Sequence, residues 1–271
     1  MKIAVAQISC SPGNIAANVE KMRRFAERAA RTGTSLIVFP EMSDTGYVMD
    51  VIRKTARPWN EGAVPELQEM ARRFSLGVVA GVSEKEGDCI YNSQVAINAC
   101  GEIAARYRKV HLFAPSGEDK CCTAGDSLTS IIIGPWQFGL TICYDLRFPE
   151  LYRTLALEHL VTAFLNSSAW PFPRLEHLRI LATARAIENQ SYFLLANRVG
   201  NDKGVTFCGS SVVIDPYGVV LSAASADREE LIFAELSTEV LDAVRKKLPV
   251  FAHRRPALYR CQTRHTPQTQ D

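Results

Sequence analysis

The sequence predicts an α/β protein built as a four-layer α-β-β-α sandwich around two mixed β-sheets. Three observations carry this expectation. Apolar strand-like runs alternate with amphipathic helical runs. Hairpins interrupt that alternation, so the sheets cannot be purely parallel. The order β-α-β-α-β-hairpin also occurs roughly twice, before and after Ser127. Two such halves can bury their sheet faces against each other and keep their helices outside. No composition break marks a linker, so residues 1–271 read as one domain.

Each element has a local reason. Lys2 to Ile8 is rich in β-formers and reads as a strand. Asn14 is a suitable N-cap for a helix in which Ile15, Val19, Met22, Phe25, Ala26 and Ala29 recur at helical spacing, and Gly33 ends it. Ser35 to Pro40 is a short continuous apolar run of the kind buried on both faces, and it stops at Glu41. Val64 to Ser75 is a second amphipathic helix, followed by a strand from Gly77 to Val82. Tyr91 to Asn98 and Glu102 to Tyr107 form a hairpin around Ala99-Cys100-Gly101, which delivers Lys109 at its end. Residues 114–126, rich in Gly, Pro and charge, read as loop.

Strands resume at 130–133 and at 138–142, the second ending in Cys143. A helix over Leu151 to Glu158 follows, then a strand over Val161 to Leu165 that ends in Asn166-Ser167-Ser168-Ala169-Trp170. Leu175 to Asn189 is a long helix and Tyr192 to Asn197 a strand. A last hairpin joins Phe207–Ile214 to Val219–Ala223 through Asp215-Pro216-Tyr217-Gly218. Leu231 to Ala234 is a strand, Thr238 to Lys247 a helix, and the polar segment 262–271 a loose tail.

Composition excludes several classes of function. An apolar content of 47% and a charged content of 22% are ordinary for a soluble globular protein. The net charge of +2, with Lys and Arg scattered, argues against a nucleic-acid or anionic-membrane partner. No apolar run approaches the ~20 residues of a membrane span. The N-terminus is a strand without signal-peptide features, so a cytoplasmic protein with reduced thiols is expected. None of the eight cysteines form a Cys-x-x-Cys pair, and Cys121-Cys122 with His111 nearby is a weak zinc signal, so no metal is expected.

The chemistry concentrates where apolar strands stop. Cys143 ends a strand just before a helix, on a rigid support where the helix N-terminus favours thiolate. Glu41 and Lys109 also follow strands. A thiol nucleophile needs a base that can return the proton to a leaving group, and the oxyanion that forms on attack needs a donor. A carboxylate, an ammonium and a thiol cover these roles. Taken singly, each residue also has a bland reading: Cys143 as a core thiol, Glu41 as a solvated loop acid, Lys109 as part of a basic surface cluster.

Three motifs in register change that balance: Phe39-Pro40-Glu41-Met42-Ser43-Asp44-Thr45-Gly46-Tyr47, Tyr107-Arg108-Lys109-Val110-His111-Leu112-Phe113 and Cys143-Tyr144-Asp145-Leu146-Arg147-Phe148-Pro149-Glu150. With Ala184 to Gln190, Asn197-Arg198 and Asp215 to Gly218, they make nearly the whole chain resemble the nitrilase superfamily of carbon–nitrogen hydrolases. The resemblance implies the α-β-β-α sandwich, usually dimeric, and no cofactor. It implies that Cys143 is the nucleophile, that Glu41 is the general base and acid, and that Lys109 stabilises the tetrahedral intermediate with the backbone N–H of Tyr144. Glu118, seven residues before Gly125, matches a second glutamate of the family. Lys120-Cys121-Cys122 stands where the family commonly has aromatic residues, which alters one pocket wall.

The implied reaction attacks an amide carbonyl, releases ammonia and hydrolyses a thioester to a carboxylic acid. The form of the cysteine and lysine motifs is most similar to the omega-amidase-like branch, which hydrolyses monoamides of 2-oxo dicarboxylic acids. An N-carbamoyl amide hydrolase or another aliphatic amidase is the alternative. Nitrile hydrolysis fits less well, because Cys143-Tyr144-Asp145 differs from the Cys-Trp-Glu usual there. A catalytically silent scaffold is the competing class, and intact Glu41, Lys109 and Cys143 argue against it. The partner expected is a small-molecule amide, with a homodimer or higher homo-oligomer implied by the family. Substrate-binding candidates are Tyr47, which could equally pack the Gly46 turn, Tyr144, Trp170, which could equally be core, and Arg147. Arg147 could grip a substrate carboxylate or form a structural salt bridge with Glu150 or another acid.

Overall fold

The computed structural model describes residues 1–259, so the tail expected at 262–271 lies outside the described residues. Two six-stranded mixed sheets face each other. Strand β1 (Lys2–Gln7) leads to α1 (Ile15–Ala30), capped by the Asn14 side chain, which accepts from the N–H of Ala17. After β2 (Leu36–Val38) comes α2 (Met49–Thr55), and after α3 (Val64–Phe74) a meander of β3 (Gly77–Glu86), β4 (Cys89–Ile97) and β5 (Ile103–Arg108). A short helix α4 (Glu118–Cys121) precedes β6 (Ser130–Ile133) and β7 (Trp136–Ile142). The rest is α5 (Pro149–Glu158), β8 (Ala163–Ser168), α6 (Leu175–Asn189), β9 (Tyr192–Asn197), a hairpin of β10 (Asn201–Asp202) and β11 (Val205–Thr206), β12 (Val212–Ile214), β13 (Val220–Ala223), β14 (Glu230–Glu235) and α7 (Thr238–Lys247).

The two halves build matching sheets. The first runs β14-β1-β2-β3-β4-β5 and the second β13-β12-β9-β8-β7-β6. In each, three central strands are parallel (β1, β2, β3 and β7, β8, β9) and the flanking strands antiparallel. The first sheet is completed by the last strand of the chain, with Lys2 opposite Glu235.

Strand periodicity explains the layers. Ile3, Val5, Leu36 and Val38 join Leu140, Ile142 and Leu165 in the core between the sheets. Their neighbours Ala4, Ala6, Ile37 and Phe39 pack with Val19, Met22, Leu67 and Met70 of α1 and α3. Alternate residues of one strand thus serve two interfaces, and α5 and α6 cover the far side of the second sheet.

Three sequence expectations need correction. Residues 114–126 are not all loop, since α4 lies among them. The segment 207–211 does not enter the β12–β13 hairpin; Phe207 bridges Pro171 instead. Helix α2 has no counterpart in the sequence reading, because seven residues are too few to show a periodicity.

Candidate active site

The site lies where β2, β5 and β7 end. Glu41 follows β2, and Gly81 on β3 makes room for it: a Cβ there would sit 2.5 Å from the Glu41 Cα. Lys109 follows β5, where its N–H donates to the Asn92 carbonyl (2.8 Å). Gly125 closes on the same strand end with its N–H on the Lys109 carbonyl, and any side chain there would collide with Arg108. Cys143 follows β7 and turns the chain into a short 3-10 helix, Cys143–Arg147, with its own φ at +42°. That value is rare outside glycine and marks a tight strand-to-helix elbow holding the thiol at its tip.

These strand ends bring Glu41, Lys109 and Glu118 together, all fully buried. The Lys109 ammonium donates to Glu41 Oε1 (2.8 Å) and to both oxygens of Glu118 (3.0 and 2.8 Å). Asn92 Nδ2 donates to Glu41 Oε1 (2.6 Å) and to Glu118. Glu41 Oε2 accepts the N–H of Ala169 (2.8 Å), from the far sheet. Glu118 Oε2 accepts from the Phe113 N–H (2.7 Å) and the Tyr47 hydroxyl (3.1 Å). Buried charge is tolerated only when paired and hydrogen-bonded, and here every charge is.

The two carboxylates are not equivalent. Burial pushes both toward the protonated form, and Lys109 opposes it in each. Glu118 has the additional Phe113 donor and is held below the usual carboxylate range. Glu41, with the Glu118 charge beside it, stays above that range. Burial alone would lower the Lys109 ammonium, but Glu118 and Glu41 hold it well above its ordinary value, so it is a cation. Contrary to the thiolate expected at a helix N-terminus, burial and then the Glu41 charge raise the Cys143 thiol well above its ordinary range. Such a set pairs a protonated thiol with a carboxylate fit to take its proton and a fixed cation to meet developing negative charge.

Cys143 opens into a cleft of about 630 Å³ lined by Tyr47, Phe113, Tyr144, Arg147, Trp170 and Phe207 among others. Trp170 is both wall and core, at 3% exposure. Tyr47 likewise lines the cleft while bonding Glu118, and its N–H is accepted by Asp202 (3.1 Å). The Arg147 guanidinium lies over Trp170 (4.7 Å to the ring centroid) and Tyr144 (6.0 Å), and donates to His177 Nδ1 (3.2 Å). The salt bridge to Glu150 is not formed, and among the described residues no carboxylate pairs with Arg147. Cys121 donates to the Met49 carbonyl and His111 faces Asp145, and among the described residues no group of three or more His, Cys, Asp or Glu is placed to hold a metal ion.

A carbon-nitrogen hydrolase family model matches residues 2–246. The chain belongs to the carbon–nitrogen hydrolase family. It is 32% identical to the omega-amidase NIT3 of Saccharomyces cerevisiae over 96% of its own length and 94% of the relative's. It is 33% identical to the 2-oxoglutaramate amidase of Bacillus subtilis over 95% and 98%. The crystal structure of Saccharomyces cerevisiae Nit3, a member of branch 10 of the nitrilase superfamily, matches with a TM-score of 0.85 at 32% identity, covering 92% of this chain and 94% of that one. This carbon–nitrogen hydrolase is therefore an amidase-type enzyme, as its motifs implied.

Sequence reasoning missed three parts of the hydrolase site. Asn92 joins the two glutamates, and its only signal was its place in the polar run Asn92-Ser93-Gln94 inside a strand. Asp145 ties the nucleophile elbow to the lysine strand: it accepts from the Ile142 N–H (2.9 Å), the Tyr107 hydroxyl (2.7 Å) and the His111 N–H (3.2 Å). The β10–β11 hairpin forms a wall of the cleft, and Asn201-Asp202-Lys203-Gly204 was a readable turn signal for it. Its base is braced by a buried pair, Arg198 Nη1 to Asp202 (2.6 Å).

Proposed function

We propose that this enzyme hydrolyses the terminal amide of a small 2-oxo dicarboxylic acid monoamide, through a thioester on Cys143. The observation that carries the reading is the buried Glu41–Lys109–Glu118 cluster behind a thiol whose cleft presents a guanidinium, Arg147, with no carboxylate partner among the described residues. Glu41 takes the thiol proton as sulfur attacks the carbonyl carbon. Lys109 and the N–H of Tyr144, at a helix N-terminus where such groups lack intrahelical partners, hold the oxyanion. When the intermediate collapses, Glu41 gives its proton to the amide nitrogen and ammonia leaves. Water then gives a proton to Glu41 and attacks the thioester carbon, and the departing sulfur recovers that proton as the acid is released. Glu118 keeps Lys109 charged and aimed.

Arg147 binds the substrate carboxylate, with Trp170, Tyr144 and Tyr47 as walls. The relatives named omega-amidase and 2-oxoglutaramate amidase support this substrate class. Residues 1–259 fold as one domain on this reading. The seven described cysteines are all free, which supports a reducing, cytoplasmic location. Exposed Ile180 and Ile187 on α6, with Tyr217 and Val219 beyond β12, offer an apolar face for a second copy, so a homodimer is expected in sedimentation.

Ammonia release from 2-oxoglutaramate, compared with the equivalent amide lacking its carboxylate, tests the function. The acid should be preferred, and Cys143→Ala should lose activity by on the order of 10⁴-fold or more. Equal ammonia release by Cys143→Ala and the unaltered enzyme would overturn the mechanism.

A further inference from the structure

The cleft is larger and more cationic than a five-carbon amide requires. At about 630 Å³ it is of the size that encloses a drug-sized molecule. Its carboxylates are already engaged: Asp50 pairs with Arg53 and Asp202 with Arg198. Lys120 and Lys203 add positive charge at the mouth. A second guanidinium stands in the same situation as Arg147. Arg174 is half-buried, lines the cleft, and among the described residues has no carboxylate partner.

Its placement is built. The turn that carries it is closed by the Trp170 indole N–H, which donates to the Arg174 carbonyl (2.9 Å). That turn is braced on the β10–β11 hairpin, where the Phe172 N–H donates to the Thr206 carbonyl (2.9 Å) and the Cys208 N–H to the Trp170 carbonyl (3.0 Å). The guanidinium lies over Phe113, 5.5 Å from the ring centroid, and Phe113 in turn packs on Tyr144 at 5.0 Å. Arg147 and Arg174 therefore stand on different rings of one aromatic shelf, Trp170 and Tyr144 for the first and Phe113 for the second. An arginine stacked on an aromatic face keeps its in-plane N–H groups free for a carboxylate.

We propose that Arg174 forms a second anion subsite, separate from that of Arg147, so that the preferred substrates are extended primary amides with two separated carboxylates on the acyl portion. The proposal rests on the function proposed above: it keeps the terminal amide and the carboxylate at Arg147 and extends the acyl portion to a second carboxylate. The discriminating pair is N-succinylglutamine and N-butanoylglutamine, which share the terminal amide and the first carboxylate and differ in the second. Dissociation constants measured by calorimetry on the Cys143→Ala protein keep the test apart from turnover. If the unaltered enzyme fails to hydrolyse 2-oxoglutaramate, the proposed function falls while this ratio remains readable.

The succinyl compound should bind at least about tenfold more tightly than the butanoyl one. Adding Arg174→Gln should bring the ratio to about one, and Arg174→Lys should restore part of it. A ratio near one with Arg174 intact overturns the subsite. So does a ratio that Arg174→Gln leaves unchanged, including the case in which both compounds weaken equally because the turn has shifted.

Discussion

The two halves of the molecule build matching sheets, yet they supply the site in opposite ways. The first half, through the ends of β2 and β5, the body of β4 and through α4, provides Glu41, Asn92, Lys109 and Glu118, none of which has any exposed surface. The second half provides Cys143, Arg147, Trp170 and Arg174, all of which reach the cleft. In the first group the charges are satisfied by one another, and removing the shared cation strands two carboxylates away from water. In the second group the guanidiniums rest on aromatic rings and have hydrogen-bonding capacity to spare. Pairing inside protein fixes the proton chemistry, and the absence of pairing at the cleft leaves binding energy for a ligand.

Removing the hub of the buried group gives the largest effect. Lys109→Met leaves two carboxylates facing each other without a cation, at a cost of about 3–5 kcal/mol. For a chain of this size the Tm should fall by on the order of 10 °C. With Lys109 holding the oxyanion as proposed, kcat should fall by ~10³-fold at the same time. The double variant Lys109→Met/Glu118→Gln should recover part of the Tm and none of the activity. A Lys109→Met protein as stable as the original in a thermal melt would break the contrast between the halves.

Glu118→Gln keeps the shape and removes one charge, so its effect should be on rate and pH, not on folding. A loss of about 10²-fold in kcat is expected if Glu118 aims Lys109. The sign of the pH effect follows from the causes acting on Glu41. Burial raises its pKa and the Glu118 charge raises it further, while Lys109 lowers it. Removing Glu118 therefore lowers the pKa of Glu41. Because Glu41 must be ionised to take the thiol proton, the acid limb of kcat/KM should move to lower pH. A pH–rate profile with an unmoved or raised acid limb would contradict this network.

How much of this was legible in the sequence depended on how local each device is. Glu41 and Cys143 stand at the ends of short apolar runs and Lys109 at the end of a hairpin strand, so contiguous residues marked them as candidates. The double-sandwich order was readable for the same reason, since alternation and hairpins are local patterns. Asn92 was not, because its role follows from the register that sets Ser93 opposite Arg108 and so places Lys109 beside it. The pairing of β14 with β1 joins residues more than 220 positions apart and leaves no local mark. Helix α4 is four residues long, and Glu118 is aimed by the Phe113 N–H and by contacts from Tyr47 and Asn92, not by its own periodicity. Arg147, four residues past Cys143, was readable as a carboxylate candidate, whereas Arg174 looked like an ordinary charge until the ring beneath it was known.

Tyr47 stands on the border between the two groups, and the smallest effect tests where the border lies. Its hydroxyl donates to Glu118 Oε2 and also contacts Ser116 Oγ at 3.1 Å, while its ring lines the cleft beside Phe207. Burial keeps its pKa well above the ordinary phenol value, so it is a neutral donor at any pH the enzyme meets. Tyr47→Phe keeps the ring and deletes one of several donors to Glu118. Lys109, Asn92 and the Phe113 N–H remain, so the loss should be about 1 kcal/mol or less, or no more than about fivefold in rate. If Tyr47 acts through the buried cluster, that loss should appear in kcat with KM unchanged. If instead its hydroxyl contacts the substrate uniformly in ground and transition states, KM should rise while kcat holds. A KM effect alone would move Tyr47 to the ligand side and leave Glu118 dependent on its remaining donors.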